Sequence, residues 1–175
     1  MRFMLSLAAV AFGMAAFANE YKLTGDNTKV EWTGTKKGGK HVGGFKKLTG
    51  TCTCDGDATK AKLDVSIETD SIFSDDEKLT THLKGKDFFD VKTNPAATFK
   101  STKIEKDGEK VKITGDFTLN GKTKSITFSA TVTEKDGSLT LSAEFKINRT
   151  DYGMNYGAGM IDDDVALKVS VTAKK

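Results

Sequence analysis

Apolar and polar side chains alternate along most of this chain with a period of two. In residues 61–67 every odd position is apolar and every even position is polar. Such alternation is typical of a β-strand with one face against an apolar interior and the other in water. The pattern predicts further amphipathic strands in residues 111–119, 126–132, 139–147 and 165–173.

Tight-turn dipeptides separate many of these segments. Asp-Gly or Asn-Gly stands at residues 55–56, 107–108, 120–121 and 136–137. Both dipeptides tolerate the positive φ angles of a type I′ turn, so each predicts a β-hairpin. With further strands in residues 28–36, 42–55 and 97–103, the chain is predicted to form about eight antiparallel strands.

One stretch departs from the alternation and predicts a short helix. Ser74 is a suitable N-cap, and the three acidic residues after it favour the positive end of a helix dipole. Leu79 and Leu83, four residues apart, give the helix an apolar face, and Gly85 is expected to end it. The glycine-rich, acidic residues 151–164 are predicted to form a long loop.

These elements predict an all-β fold. A flat sheet would need several helices to cover its apolar face, and the sequence predicts only one. Either two sheets must face each other or one sheet must close into a barrel, and closure also removes exposed edge strands. We therefore expect an eight-stranded antiparallel barrel with a short helical segment at one mouth.

Composition and charge fit one globular domain. The 175 residues are 37% hydrophobic and 29% charged, and Lys+Arg 27 against Asp+Glu 24 gives a formal net charge of +3. This near balance argues against nucleic-acid binding, which usually shows as a strongly basic domain.

The N-terminus has the pattern of an export signal. Arg2 precedes an apolar run over residues 4–17, and Ala-Phe-Ala at residues 16–18 resembles a signal-peptidase site. The run is shorter than a membrane-spanning helix requires, so no transmembrane span is expected. The sequence predicts a cleaved signal peptide over residues 1–18, a single domain over residues 19–175, and a periplasmic location.

No catalytic motif stands out. The chain lacks Gly-x-Ser-x-Gly, His-Glu-x-x-His and Cys-x-x-Cys sequences, and its two histidines, His41 and His82, are far apart. A lone histidine is more often a packing or hydrogen-bonding residue than a catalyst. We therefore predict a protein that is not an enzyme, with His82, beside the barrel mouth, as the better functional candidate.

Cys52 and Cys54 offer the main alternative. Two residues apart on one strand, they share a face at a Cβ separation of about 6–7 Å, whereas a disulfide needs about 3.5–4.5 Å. We expect that face to be the inner one, where both act as small apolar residues. The alternative function is a periplasmic redox or soft-metal-handling protein that uses both thiolates, with His41 as a further ligand.

Several segments together resemble the YceI-like family of exported, polyisoprenoid-binding proteins, over about residues 21–173. They are Val-Glu-Trp at 30–32, Gly-Phe-Lys-Lys-Leu-Thr-Gly at 44–50, His-Leu-Lys-Gly-Lys-Asp-Phe-Phe-Asp at 82–90, Asn-Pro-Ala-Ala-Thr-Phe at 94–99, Gly-Asp-Phe-Thr-Leu-Asn-Gly-Lys-Thr-Lys at 115–124, and Phe-Lys-Ile-Asn-Arg-Thr-Asp-Tyr-Gly at 145–153. The order and spacing of these segments, rather than any one of them, carry the resemblance.

The resemblance implies a lipocalin-like barrel whose cavity holds a long amphiphilic lipid. The ligand would be a polyisoprenoid, an isoprenoid quinone or a fatty-acid derivative, with no cofactor and no catalysis. Cys52 and Cys54 stand where bulkier apolar residues often lie in the family, which enlarges or softens the predicted cavity. A homodimer is left open as the oligomeric state.

An apolar channel binds a hydrocarbon tail because each buried CH₂ contributes about 0.8 kcal/mol. His82 and Arg149 are candidate contacts to a polar head group, although Arg149 alternatively pairs with a loop carboxylate such as Asp151. Phe88 and Phe89 are expected near the mouth. The predicted wall residues are Phe45, Leu63, Val65, Phe99, Phe117, Phe128 and Phe145.

Overall fold

A computed structural model describes residues 18–175 of the chain. The predicted signal peptide lies almost entirely outside these residues. Within them, one helix, α1 (Glu77–Leu83), accompanies eleven strands of a single antiparallel sheet. The strands are β1 (Asn19–Thr24), β2 (Thr28–Lys36), β3 (Gly39–Phe45), β4 (Leu48–Cys54), β5 (Lys62–Glu68), β6 (Ile72–Ser74), β7 (Ala96–Asp107), β8 (Lys110–Leu119), β9 (Lys122–Lys135), β10 (Ser138–Asn148) and β11 (Ile161–Lys174).

Six of the eleven strands are halves of three long, bent strands. β1 continues into β2, β3 into β4 and β5 into β6, with a short break in each pair. β2 pairs with β11 and β3, and β4 pairs with β5, so the pairing returns to its starting point. The sheet therefore closes as eight long antiparallel strands, and the predicted barrel is confirmed.

The bends explain why eleven strands appear where eight were expected. A Cβ at Gly25, between β1 and β2, would overlap the carbonyl oxygen of Lys46, between β3 and β4. The two corners therefore pack backbone against backbone, and only glycine fits at this contact. The prediction of one uninterrupted strand over residues 42–55 was wrong, and β1 had no counterpart among the predicted strands.

The turn predictions hold at three of the four dipeptides. Both residues have positive φ at Asn120-Gly121 and Asp136-Gly137, as in a type I′ turn, and Gly108 also has positive φ. The pair at residues 55–56 does not form a tight hairpin. A longer connection that includes a 3₁₀ turn at Ala58–Lys60 joins β4 to β5 there.

α1 lies at one end of the barrel. Its N-cap is Asp76, whose side chain accepts a hydrogen bond of 2.7 Å from the Leu79 amide, rather than the expected Ser74. The Ser74 hydroxyl instead donates to the Asp76 carbonyl oxygen at 2.6 Å and stabilises the turn before the helix. Across residues 18–175, no helix combines the length and apolar character needed to cross a membrane.

The two ends of the barrel are built differently. At the end that holds the N-terminus of β1 and the C-terminus of β11, the core includes side chains with no exposed surface, such as Tyr21, Ile113 and Leu139. α1 and the segments that follow β6 and β10 lie at the opposite end. Residues 151–164 are not a loop throughout, because β11 begins at Ile161 and includes Asp162, Asp163 and Asp164.

Candidate functional site

A cavity occupies the barrel between the packed end and α1. Its volume is about 330 Å³, within the range of roughly 300–1,000 Å³ for small-molecule sites. The alternation of each strand turns one row of side chains into this space, and nearly all of them are apolar. The barrel is therefore hollow in the half nearer α1.

The structure brings all the sequence-predicted site residues to this cavity, although their role in binding stays a prediction. They come from six strands, from α1 and the turn after it, and from the 3₁₀ turn after β10. The lining includes Phe45, Leu63, Val65, His82, Phe88, Phe89, Phe99, Phe117, Phe128, Phe145 and Arg149.

Stacked aromatic rings form the inner wall of the cavity. The rings of Phe128 on β9 and Phe145 on β10 lie parallel, with centroids 4.2 Å apart and planes inclined by 9°. The Phe99 ring lies 5.6 Å from that of Phe128, in a tilted arrangement. Such contacts hold the rings in fixed positions, so this part of the wall has a defined shape.

The mouth of the cavity combines aromatic and polar groups. The His82 ring lies 5.1 Å from the Phe88 ring and 4.8 Å from the Tyr156 ring. Its Nε2 is 2.9 Å from a carboxylate oxygen of Asp87, in an exposed pair. Phe89 packs edge-on against Phe45 at 5.8 Å. The predicted position of His82, Phe88 and Phe89 at the mouth agrees with this arrangement.

Arg149 lies at the cavity wall, but its guanidinium group is turned to the loop over residues 153–160. Nε donates to the Asp162 carbonyl oxygen, while Nη1 donates to the carbonyl oxygens of Met154 and Tyr156. Nη2 donates to the Ile161 carbonyl oxygen and to a carboxylate oxygen of Asp163. All five N–H groups are used, so contact with a ligand head group would require this loop to open.

Sequence reasoning missed part of the lining. β2 and β11 contribute Trp32, Leu167 and Val169, and the loop contributes Tyr156. The alternation along β2 and β11 indicates inward-facing positions, but the predicted wall contains only Phe, Leu and Val residues of other strands. Trp32 carries a buried indole N–H for which the described residues provide no hydrogen-bond partner.

Cys52 and Cys54 lie outside the cavity, in the packed end of the barrel. Both are about 1% exposed and both thiols are free. Burial raises the pKa of the Cys52 thiol to about 12, and the pKa of Cys54 is also raised, mainly by burial. A protonated, buried thiol is a poor nucleophile and a poor metal ligand.

The ligand environment of a metal is also missing from the described part of the chain. Residues 18–175 contain no group of three or more His, Cys, Asp or Glu side chains arranged to hold an ion. The proposed third ligand, His41, pairs through Nδ1 with Asp75 at 3.0 Å. The geometry therefore gives the redox and soft-metal alternative no support.

The fold and the site together define a closed antiparallel barrel with an apolar internal cavity beneath a helical segment. A family model described as the YceI-like domain matches residues 21–173. A UPF0312 protein of Pseudomonas putida strain W619 is 34% identical over 190 aligned positions, which cover 97% of each chain. The chain therefore belongs to the YceI-like family.

Two solved structures share the architecture. The crystal structure of BcnA from Burkholderia cenocepacia has a TM-score of 0.79 at 27% identity, covering 84% of this chain and 96% of that chain. A polyisoprenoid binding domain from Saccharophagus degradans, implicated in plant cell wall breakdown, has a TM-score of 0.70 at 13% identity. That match covers 89% of this chain and 97% of the domain, and it shows a common fold.

Proposed function

We propose that this protein is an exported, non-catalytic carrier that holds one long amphiphilic lipid in the barrel cavity. The observation that carries the proposal is the apolar cavity itself, enclosed by the barrel wall and opening beside α1. Hydrocarbon has no directional requirements, so a wall of Phe, Leu and Val side chains is sufficient to bind it.

The distribution of polar groups supports an amphiphile rather than a simple hydrocarbon. Phe99, Phe128 and Phe145 form an apolar part of the cavity wall, whereas Lys36 and His82 lie at the mouth beside exposed surface. A tail against the apolar wall gains about 0.8 kcal/mol for each buried CH₂. The head group would remain near the mouth, where polar side chains and water are available.

The contacts of the cavity side chains support a binding role without catalysis. His82 pairs with Asp87 and His41 with Asp75, and in the described lining neither histidine faces a serine or cysteine nucleophile. A serine or cysteine nucleophile is commonly activated by a base within hydrogen-bond reach. The lining therefore supports holding a ligand rather than transforming it.

The relative from Saccharophagus degradans supports polyisoprenoids as the first ligand class to test. Isoprenoid quinones and fatty-acid derivatives share the same combination of a long apolar tail and a compact polar head. The test must therefore identify the lipid rather than assume it.

The direct experiment is to purify the protein gently from its producing cells, extract it with organic solvent and identify the extract by mass spectrometry. We expect about one lipid molecule per chain. Val169→Trp, which fills the cavity from β11, should abolish co-purification. Lys168→Trp, which places the same side chain on the outer face, should retain it. A folded wild-type protein that carries no lipid and binds none on addition would refute the carrier function.

We also propose that residues 1–18 are a signal peptide and that the mature protein functions in the periplasm. The support is the apolar run followed by Ala-Phe-Ala at residues 16–18. Intact-mass measurement of the protein from a periplasmic extract should give a chain that begins at Asn19. An uncleaved chain retained in the cytoplasmic fraction would contradict the export proposal and would leave the lipid test unaffected.

A further inference from the structure

Within residues 18–175, the indole nitrogen of Trp32 (Nε1) is the one buried side-chain nitrogen or oxygen atom that has no hydrogen-bond partner. Trp32 lies on β2 and lines the cavity. An unpaired buried donor destabilises a fold, and such groups are rare in folded proteins. An indole N–H in this position therefore calls for an acceptor that the described residues, 18–175, do not supply.

The Trp32 ring is held in place by the neighbouring strand. Trp32 is paired with Gly43 on β3, and a Cβ at Gly43 would lie 2.5 Å from Cζ2 of the indole. The ring thus occupies the space that a side chain at position 43 would need. The ring also packs against the buried cluster of Ile72, Leu83 and Phe88 beneath α1. The indole cannot turn its N–H to water without leaving this contact.

Most of the other polar side chains of the cavity have partners within the described residues. The Thr28 hydroxyl donates to Asn27 at 2.9 Å, and Arg149 uses all five N–H groups on the loop. His82 and His41 pair with Asp87 and Asp75. Trp32 itself is partly buried, but its Nε1 is buried and has no partner within residues 18–175. The residue lies near the mouth end of the cavity because its cluster contains Leu83 and Phe88.

From this contrast we propose that the Trp32 indole N–H donates a hydrogen bond to an oxygen atom in the head group of the bound lipid. The inference rests on the carrier function proposed above and narrows its ligand class. The ligand carries an acceptor oxygen, as in an alcohol, carbonyl or phosphate, next to a long apolar tail. The head lies at the level of Trp32, and the tail extends towards Phe99 and Phe128.

The physical consequence is selectivity. A ligand that lacks an acceptor leaves the N–H unpaired, whereas one that supplies it gains a hydrogen bond in a water-poor site. A net difference of about 1.4 kcal/mol corresponds to about a tenfold difference in affinity. Trp32 is therefore a specificity-determining residue, while the aromatic wall supplies most of the affinity.

The test compares two lipids that differ only at the head. Purified protein, stripped of bound lipid, is titrated with the C20 isoprenoid alcohol geranylgeraniol and with the parent C20 hydrocarbon. Binding is measured by equilibrium ultrafiltration of radiolabelled lipid. Wild-type protein should bind the alcohol about tenfold more tightly than the hydrocarbon. In Trp32→Phe, which keeps an aromatic ring and removes the N–H, this preference should disappear through weaker binding of the alcohol alone.

A matched control removes apolar contact without removing a hydrogen bond. Phe45→Leu should weaken both lipids by a similar factor and leave the preference for the alcohol intact. Because the chain contains a single tryptophan, wild-type fluorescence provides a second readout that needs no variant. The alcohol should shift the emission of Trp32 to longer wavelength, and the hydrocarbon should not.

The outcomes separate the inference from the function on which it rests. Equal affinity of the wild type for both lipids, or equal weakening of both in Trp32→Phe, would overturn the hydrogen-bonding role while leaving the carrier function in place. Failure of the wild type to bind either lipid or a quinone would count against the carrier function itself. If Trp32→Phe does not fold, an emission shift equal for both lipids overturns the inference.

Discussion

The hydroxyl group of Tyr21 on β1 donates a hydrogen bond of 2.6 Å to the carboxylate of Glu134 on β9, across the closed end of the barrel. The same carboxylate accepts hydrogen bonds of 2.6 Å from the Asn19 side chain and from the Gly56 amide. One carboxylate therefore joins the first strand, the β4–β5 connection and β9. The hydroxyl that it holds belongs to a tyrosine with no exposed surface.

Removing either partner should destabilise the closed end. Tyr21→Phe and Glu134→Gln are each expected to lower the free energy of unfolding by about 1 kcal/mol, since Glu134 is partly exposed and solvent screens its contacts. Glu144→Gln, which changes an exposed carboxylate paired with Lys168, should have a smaller effect and is the control. Urea denaturation at pH 7 measures the three changes. Equal losses in all three variants would contradict a special role for the Tyr21–Glu134 contact.

Glu134 should also shape the acid stability of the protein. Hydrogen bonds from Tyr21 and Asn19 lower the pKa of Glu134 from 4.5 to about 2. A depressed folded-state pKa stabilises the fold above the unfolded value of 4.5, and this contribution is lost as the pH falls towards 2. Stability measured between these pH values should fall more steeply in the wild type than in Glu134→Gln. Parallel curves would show that the carboxylate is not perturbed.

At alkaline pH, Tyr21 should make the stability of the protein fall as the pH rises. Burial, with the bond to Glu134, raises the pKa of Tyr21 from 10.0 to about 12. The resulting stabilisation is complete below pH 10 and is lost as the pH rises towards 12. Tyr21→Phe should therefore show a flatter stability profile over this interval. A wild-type tyrosine that titrates at its ordinary pKa, followed by ultraviolet difference absorbance, would contradict the expectation.

The thiols of Cys52 and Cys54 are expected to be unreactive towards thiol reagents in the native protein. Because burial favours their protonated forms, native protein at pH 8 should react with Ellman's reagent at least about a hundredfold more slowly than unfolded protein. A Cys52→Ala/Cys54→Ala variant should bind lipid as the wild type does. Rapid native labelling, or one equivalent of bound metal that this variant loses, would instead support the redox and soft-metal hypothesis.

Gly43 and Gly34 make a matched pair on either side of the Trp32 ring. A Cβ at Gly43 would collide with the ring and with the Phe73 carbonyl oxygen, whereas a Cβ at Gly34 would meet the ring at 3.8 Å. Gly43→Ala should cost about 1–3 kcal/mol of stability and shift Trp32 fluorescence, while Gly34→Ala should change both far less. Denaturant titration followed by tryptophan emission measures both effects. Equal tolerance of the two substitutions would show that the ring does not rest on Gly43.

Arg149 should act as the anchor of the loop over residues 153–160. Arg149→Met leaves four buried or partly buried carbonyl acceptors without their donor, and we expect a loss on the order of 3 kcal/mol together with faster proteolysis within the loop. Lys146→Met is the control, because it removes a positive charge from the outer face of β10. It should neither lower the stability nor speed proteolysis within the loop. Loop cleavage at the wild-type rate in Arg149→Met would contradict the anchoring role.

The barrel and its cavity were accessible from sequence because they follow from local regularities. Alternation identified the inward rows that include Leu63, Val65 and Phe145, and Asn120-Gly121 marked a hairpin that the structure contains. Closure was one of the two arrangements by which a chain with one short helix can cover so many apolar strand faces, the other being two sheets packed face to face.

The remaining features depend on contacts between residues distant in sequence. The breaks between β1 and β2 and between β3 and β4 lie where the backbone of Gly25 approaches that of Lys46. The guanidinium group of Arg149 is oriented by hydrogen bonds to backbone carbonyl oxygens as far along the chain as Asp162. The indole N–H of Trp32 lies where the fold brings it no hydrogen-bond partner from within residues 18–175. None of these has a signature within a short window of sequence.

The packed end of the barrel has a kinetic consequence for any molecule held inside. Tyr21, Ile113 and Leu139 seal one end, so a guest enters and departs through the same opening beside α1. An incoming molecule cannot push a resident one out from behind. Replacement must therefore wait for spontaneous release, and the exchange rate should not depend on the concentration of the competitor.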